Sequence, residues 1–287
     1  MDTIYITNDP WRAQVAESAG INRVMVDLEI IGKSKRQGHI NTVISGHCMS
    51  DVASLRAVLN KALLMVRINP MGEHSRDEIC ASLDAGADVL MLPMFSSVSE
   101  VRAFTHHVSG RARTCLLLET GGALARLRDI VEIEGIDEIH IGLNDLHLAL
   151  KLDFMFELVS GGLVDYIAQV VREKGIKLGI GGIARPGKGL LSPELIMSEH
   201  VRLGSSQVLL SRDFNAVFDG WSKNQALEGL RREISGLQEL VRQLGGAGTD
   251  VLLANSRKLK CSVDEIVRAS RASSETFLQV PVEVGQA

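Results

Sequence analysis

The chain has 287 residues, 45% of them hydrophobic, and a formal net charge of −4 at pH 7. That apolar content excludes a disordered chain and suffices for one large core. With mild net charge and scattered basic residues, nothing suggests a nucleic-acid-binding surface. No apolar run approaches the ~18 residues of a membrane span and no secretory leader is visible, so a cytoplasmic protein is expected. The four cysteines, Cys48, Cys80, Cys115 and Cys261, lack zinc spacing and read as reduced, mostly buried thiols.

Strands and helices alternate along the chain. Strand 4–7 precedes helix 10–20, and strand 23–29 leads through a long polar loop to helix 50–62, which Ser50 caps. Strand 63–68 is followed by helix 75–86, strand 88–95 by helix 97–108, and strand 115–119 by helix 122–135. Strand 138–143 then precedes helix 162–175, strand 177–183 precedes helix 192–204, and strand 207–212 comes last. Strands this apolar are buried on both faces, as in parallel βαβ units, and eight such units predict a closed (β/α)8 barrel. An open doubly wound sheet is the alternative. The barrel is expected over 1–220 and a helical extension over 221–287. In the extension, Leu227, Leu230, Ile234, Leu237, Val241 and Leu244 form one apolar stripe on a long helix, and a second helix covers 262–272. The stripe packs on the barrel or against another subunit.

Active sites of such barrels sit at the C-terminal ends of the strands. Four strand ends here are polar: Asp27 and Glu29 share a face of strand 2, Arg67 ends strand 3, Glu119 closes the segment TCLLLET, and Asn144 and Asp145 follow in HIGLNDL. Four acids converging with one arginine on a dry rim are costly unless a cation compensates. Carboxylate ligands without a histidine or cysteine cluster favour Mg²⁺ or Mn²⁺, with Glu119 and Asp145 as the pair that holds it. Each residue also has a plainer reading: Glu119 as a solvated rim acid, Asp145 as the N-cap of a short helix, Arg67 as a structural ion-pair partner.

The segments VMVDLE, LLMVRINP, SLDAGADVLMLPM, LLLET and IGLNDL occur in this order over roughly residues 10–215. Together they resemble the HpcH/HpaI aldolase and citrate lyase family. The resemblance implies a divalent-metal-dependent carbon–carbon lyase of the aldolase type that acts on a 2-oxo acid through a metal-bound enolate. It implies that Glu119 and Asp145 ligate the metal, that the N–H groups of Asn144 and Asp145 grip the substrate carboxylate, and that Arg67 stabilises the enolate oxygen. Gly142, Asp27 and Glu29 complete the expected substrate-binding set. A homo-oligomer is expected as well.

Two positions depart from the family pattern. The family's proton-transfer histidine follows the strand 2 acid in D-x-E-H, and here Ile30 stands there; a glutamine two residues before the metal glutamate is Leu117. Asp84 in SLDAG reads as the acidic partner that remains, and His39 or His47 in the strand 2 loop as a replacement base. The basic cluster of Lys33, Lys35 and Arg36 and the glycine-rich strand 7 loop, with Gly181, Gly182, Arg185 and Lys188, are candidate anion sites, the second of them more simply a turn. The rival functions are a citrate-lyase-like enzyme acting on an acyl-CoA, an enolate-forming hydrolase or phosphoryl-transfer enzyme, and a non-catalytic metabolite-binding barrel.

Overall fold

The computed structural model describes residues 1–32, 46–185 and 188–278. Eight parallel strands close on themselves in sequence order: β1 (Asp2–Ile6), β2 (Arg23–Asp27), β3 (Leu63–Arg67), β4 (Val89–Leu92), β5 (Arg113–Leu118), β6 (Glu138–Ile141), β7 (Lys177–Ile183) and β8 (Gln207–Leu210). Pairing of Asp2 with Gln207 and of Ile4 with Leu209 joins the last strand to the first. The fold is the (β/α)8 barrel with C-terminal helices that the alternation predicts.

Strand residues divide by parity, as the pleat requires. Val24, Val26, Leu64, Val66, Leu116 and Leu118 face outward into the layer of helices, whereas Ile4, Met25, Met65, Val89, Met91, Cys115 and Leu117 fill the barrel interior. The base of the interior is charged. Arg23, fully buried, donates to both oxygens of Glu138 (2.5 and 2.9 Å) and to Asp2 (2.9 Å). Burying that guanidinium is tolerable because its donors meet carboxylates on two sides.

The outer layer contains α1 (Pro10–Ser18), α2 (Met49–Arg56), α3 (Ser75–Asp84), α4 (Val98–Val108), α5 (Gly121–Ala125), α6 (Leu127–Ile130), α7 (Leu143–Ala149), α8 (Glu157–Ser160), α9 (Leu163–Glu173) and α10 (Pro193–Leu203). Helix α2 starts one residue before Ser50, behind Cys48, whose N–H donates to Asp51 Oδ2, and it ends six residues before the predicted stop. The helix expected over 122–135 divides at Arg126, which caps α5 and precedes α6. Cys48 and Cys261 are exposed, contrary to the expectation of mostly buried thiols: Cys48 precedes the first turn of α2 and Cys261 lies on the last helix of the chain.

A 3₁₀ helix, Arg212–Phe218, leads from β8 to α11 (Lys223–Gly245), and α12 (Thr249–Leu278) follows. Ser222 and Gln225 form a capping box at the start of α11. The predicted stripe is turned inward: Leu230, Ile234, Leu237 and Leu244 are buried against Val15, Ala16 and Ala19 of the α1 segment and Met197 of α10. Within the described residues the barrel itself covers this stripe. Helix α12 is one continuous element where only 262–272 was expected, and Leu259, Val263 and Val267 seat it in the main core. Among the described residues, no helix is long and apolar enough to cross a membrane.

Candidate active site

Asp27 and Arg67 are register partners on β2 and β3. The parity that turns Met25 and Met65 inward turns these two inward as well, one layer higher. Arg67 donates to Asp27 through Nε (2.8 Å to Oδ1) and Nη2 (2.7 Å to Oδ2), a fork-to-fork pair. Glu29 Oε2 stands 3.5 Å from Arg67 Nε. Asp27 is 1% exposed. Burial alone would lower the affinity of Arg67 for its proton, but the Asp27 hydrogen bonds and the nearby charges of Asp27, Glu29 and Glu119 outweigh it and hold the guanidinium firmly charged.

Glu119 follows β5 on the same inward face and is 4% exposed. Its Oε1 accepts the Met94 N–H at 3.0 Å. Met94 reaches that position with φ of 53°, a left-handed conformation rare for a residue with a side chain. The other oxygen lies over Gly142: a Cβ there would be 2.8 Å from both Glu119 Oε2 and Glu119 Cβ. Burial pushes the Glu119 carboxyl up to about 8; Arg67 and the Met94 hydrogen bond pull against it, and Asp145 and Glu29 push with it. The cluster thus contains more acid than base. Asp145 sits half-buried in the first turn of α7, which begins at Leu143, so Asp145 lies inside the helix rather than capping it.

These groups open onto a cavity of about 460 Å³ at the C-terminal end of the barrel. Arg67, Glu119, Gly142, Asn144 and Asp145 line it, together with Leu117, Gly181, Gly182 and Lys188. Gly181 lies where the pairing of β7 with β8 slips by one residue, and a Cβ at that position would strike Leu143 at 2.7 Å. A wider, open cleft of about 1300 Å³ lies at the opposite end of the barrel, among Arg102, His106, Arg113, Glu132 and Asp137, away from every strand-end acid.

A scan against family models matches residues 7–157, more than half of the chain, to HpcH/HpaI aldolase/citrate lyase. The chain belongs to this family. The HpcH/HpaI family is one of carbon–carbon lyases, and that is the kind of chemistry to which the barrel belongs. No curated protein sequence matches the chain. Among solved structures, the chain is similar to an HpcH/HpaI aldolase from Desulfitobacterium hafniense DCB-2 (15% identity, TM-score 0.59, 80% of this chain and 92% of that one). It is also similar to a family protein from Burkholderia cenocepacia J2315 (14%, 0.60, 80% and 94%) and to macrophomate synthase (14%, 0.54, 86% of each chain). At these identities the likeness is one of fold.

Within this HpcH/HpaI barrel only part of the expected set comes together. Arg67, Glu119, Gly142, Asn144 and Asp145 come together around the cavity. Asp27 and Glu29 pair with Arg67 and are not among the residues that line the cavity. Asp84 is not part of the site. It is the last residue of α3, at the end of the barrel where the strands begin, with its side chain 70% exposed and paired with Arg111 at 2.6 Å. A helix that follows a strand runs back to the base of the barrel, so its C-terminal residue cannot reach the rim. Arg185 turns out of the cavity to Glu233 of α11 (2.7 Å). His39 and the Lys33, Lys35 and Arg36 cluster lie outside the described residues. His47 accepts the Asp27 N–H on Nδ1 (3.0 Å).

Two lining groups carry weight that sequence reasoning missed. His140, 2% exposed, reaches the cavity from β6, and neither ring nitrogen has a hydrogen-bond partner among the described residues. It fits because β7 has Gly179 opposite it, where a Cβ would come within 2.2 Å of Nδ1. Burial, reinforced by His200, Arg23 and Arg67, lowers its pKa to about 3 and keeps the ring neutral. The signal was available: His140 precedes Gly142 by two and must share its inward face. The second missed group is the apolar wall of Phe154, Met155 and Phe156, for which the sequence offers no motif.

Proposed function

We propose that this barrel cleaves or forms a carbon–carbon bond next to the enolate of a 2-oxo acid, with a divalent cation. The observation that carries the reading is the convergence of Glu119, Asp145 and Arg67 on one cavity, with Gly142 leaving room for the Glu119 carboxylate. The donor set fits a cation. Buried carboxylates outnumber the single guanidinium, and the high pKa of Glu119 marks a place where added positive charge is favourable. Among the described residues no three or more His, Cys, Asp or Glu side chains form a cage, so an ion held by two carboxylates would keep positions open for substrate. Glu119 and Asp145 would hold Mg²⁺ or Mn²⁺, whose charge would polarise the substrate's carbonyl.

The protein's own groups do the rest in this reading. Asp27 takes Nε and Nη2 of Arg67 and sets the plane of the guanidinium, which leaves Nη1 to meet the oxygen that becomes negative as the bond breaks. In the first turn of α7 the N–H groups of Asn144 and Asp145 point out of the helix's N-terminal end, toward a substrate carboxylate. Leu117, Gly181 and Leu143 exclude water from the space beside that oxygen, which strengthens each of these interactions.

Proton–deuterium exchange at the pyruvate methyl group, followed by NMR with Mn²⁺ or Mg²⁺ and with chelator, tests the reading. Exchange that needs the metal and disappears in Arg67→Met and Glu119→Gln is expected. No exchange with either metal would rule out pyruvate-enolate chemistry.

A further inference from the structure

The polar groups described above fill only one end of the cavity. A three-carbon 2-oxo acid has six heavy atoms; even at the ~30 Å³ that each water takes in the liquid, six atoms fill about 180 Å³. The cavity measures about 460 Å³. More than half of it therefore lies beyond the reach of the acid head.

Much of the remaining wall is hydrocarbon. Two segments supply it, Phe154, Met155 and Phe156 in one and Leu190, Leu191 and Ile196 in the other. The rings of Phe154 and Phe156 lie 5.5 Å apart at 48°, a tilted pair. The remaining charged side chains of the lining are Lys188 and Asp213, from the segments that follow β7 and β8. Leu190 is 74% exposed, at the open edge of this lining.

Both segments are fastened to the C-terminal helices. Glu157 Oε2 accepts the N–H groups of Asp153 and Phe154 (2.8 Å each), and Arg271 of α12 grips Asp153 (2.6 Å). Ahead of the other, Arg185, one residue past Ala184 of the lining, is held by Glu233 of α11. The extension thus contacts, through these ion pairs, both segments that supply the apolar lining.

We propose that this half of the cavity is a chamber for a hydrocarbon chain, so that the substrate is a 2-oxo acid whose far end is alkyl or aromatic rather than charged or hydroxylated. The proposal rests on the reading above for the acid end and adds the class of the other end. A carboxylate or hydroxyl set against Phe154, Met155, Phe156 and Leu191, away from Lys188 and Asp213, would lose its water without finding a donor or acceptor, whereas a hydrocarbon chain leaves water at a gain.

Titration calorimetry of the full chain with Mn²⁺ and the straight-chain series from pyruvate to 2-oxohexanoate tests it, beside a series of 1-alkanols that lack the acid head. Each added methylene is expected to tighten binding about fourfold until the chamber is full. Phe156→Ser should flatten that dependence; because Phe156 is also packed in the core, Leu190→Ser, at an exposed position, provides the same test without risk to folding. If the 2-oxo acids bind with no dependence on chain length, the chamber is refuted and the lyase reading stands. If the 2-oxo acids fail to bind while the alkanols show the chain-length dependence, the lyase reading falls and the chamber stands. Tighter binding of chains that end in a hydroxyl or a second carboxylate than of alkyl chains of equal length would also refute the chamber.

Discussion

Asp27 and Arg67 face each other across adjacent strands, joined by two hydrogen bonds of 2.8 and 2.7 Å, with the carboxylate fully buried and the guanidinium at the edge of the cavity. The pair fixes the direction in which Arg67 presents its remaining donors. Asp27→Ala leaves a buried guanidinium without its main counter-charge, and a loss of roughly 3–5 kcal/mol in unfolding free energy is expected. Urea denaturation of the variant beside Arg67→Met measures it. The double variant should lose less than the sum of the singles, since removing the arginine removes the uncompensated charge.

Arg67→Lys keeps the charge and loses the fork. If Arg67 stabilises the developing oxyanion, kcat for pyruvate exchange should fall by on the order of 10²–10³, with a much smaller change in KM. An Arg67→Lys enzyme with unchanged kcat would show that the arginine is only a structural partner of Asp27.

Much of this site was legible because barrel geometry converts sequence order into place. Once eight strands are counted, Asp27, Arg67 and Glu119 must stand at the same end of β2, β3 and β5, with Asp145 just beyond β6, and they do. The same rule was enough to exclude Asp84: a residue ending a helix lies at the base, yet the familiar look of SLDAG outweighed its position. His140 was hidden in an apolar strand, where one polar residue suggests nothing until its inward parity is matched with Gly142. The division of the helix at Arg126 and the continuity of α12 were not legible, because helix ends depend on caps and on tertiary cover that periodicity does not encode.

Glu119 and Gly142 make a linked prediction. Gln in place of Glu119 resembles the protonated acid that burial already favours, so Glu119→Gln should leave the metal-free protein as stable as wild type at pH 7. The stabilisation by Mn²⁺, about 2.7 kcal/mol at a hundred times Kd, should vanish. Gly142→Ala should also abolish it, because the new methyl would displace the Glu119 oxygen that lies 2.8 Å away. Thermal melts at several Mn²⁺ concentrations decide both. Metal-dependent stabilisation that survives Glu119→Gln would place the ion elsewhere.

Two buried histidines set the response to acid. Burial lowers His140 to about 3 and His200, whose Nδ1 meets Ser205 Oγ at 3.0 Å, to about 4. In the unfolded chain each takes a proton near 6.5. Between 6.5 and those depressed values the unfolded state binds more protons, so stability falls as pH falls, by up to about 1.4 kcal/mol per unit for each ring. Glu119 acts in the opposite sense from its ordinary value to about 8, where the folded state binds the extra proton and stability falls as pH rises. The metal-free protein should therefore be most stable near the crossover, about pH 6–7. His200→Gln should remove one histidine's share of the acid slope between pH 6 and 5, a window above the range in which most carboxylates titrate. Urea unfolding at half-unit steps, wild type against variant, gives that slope directly. Equal slopes would mean that His200 is protonated in the folded state.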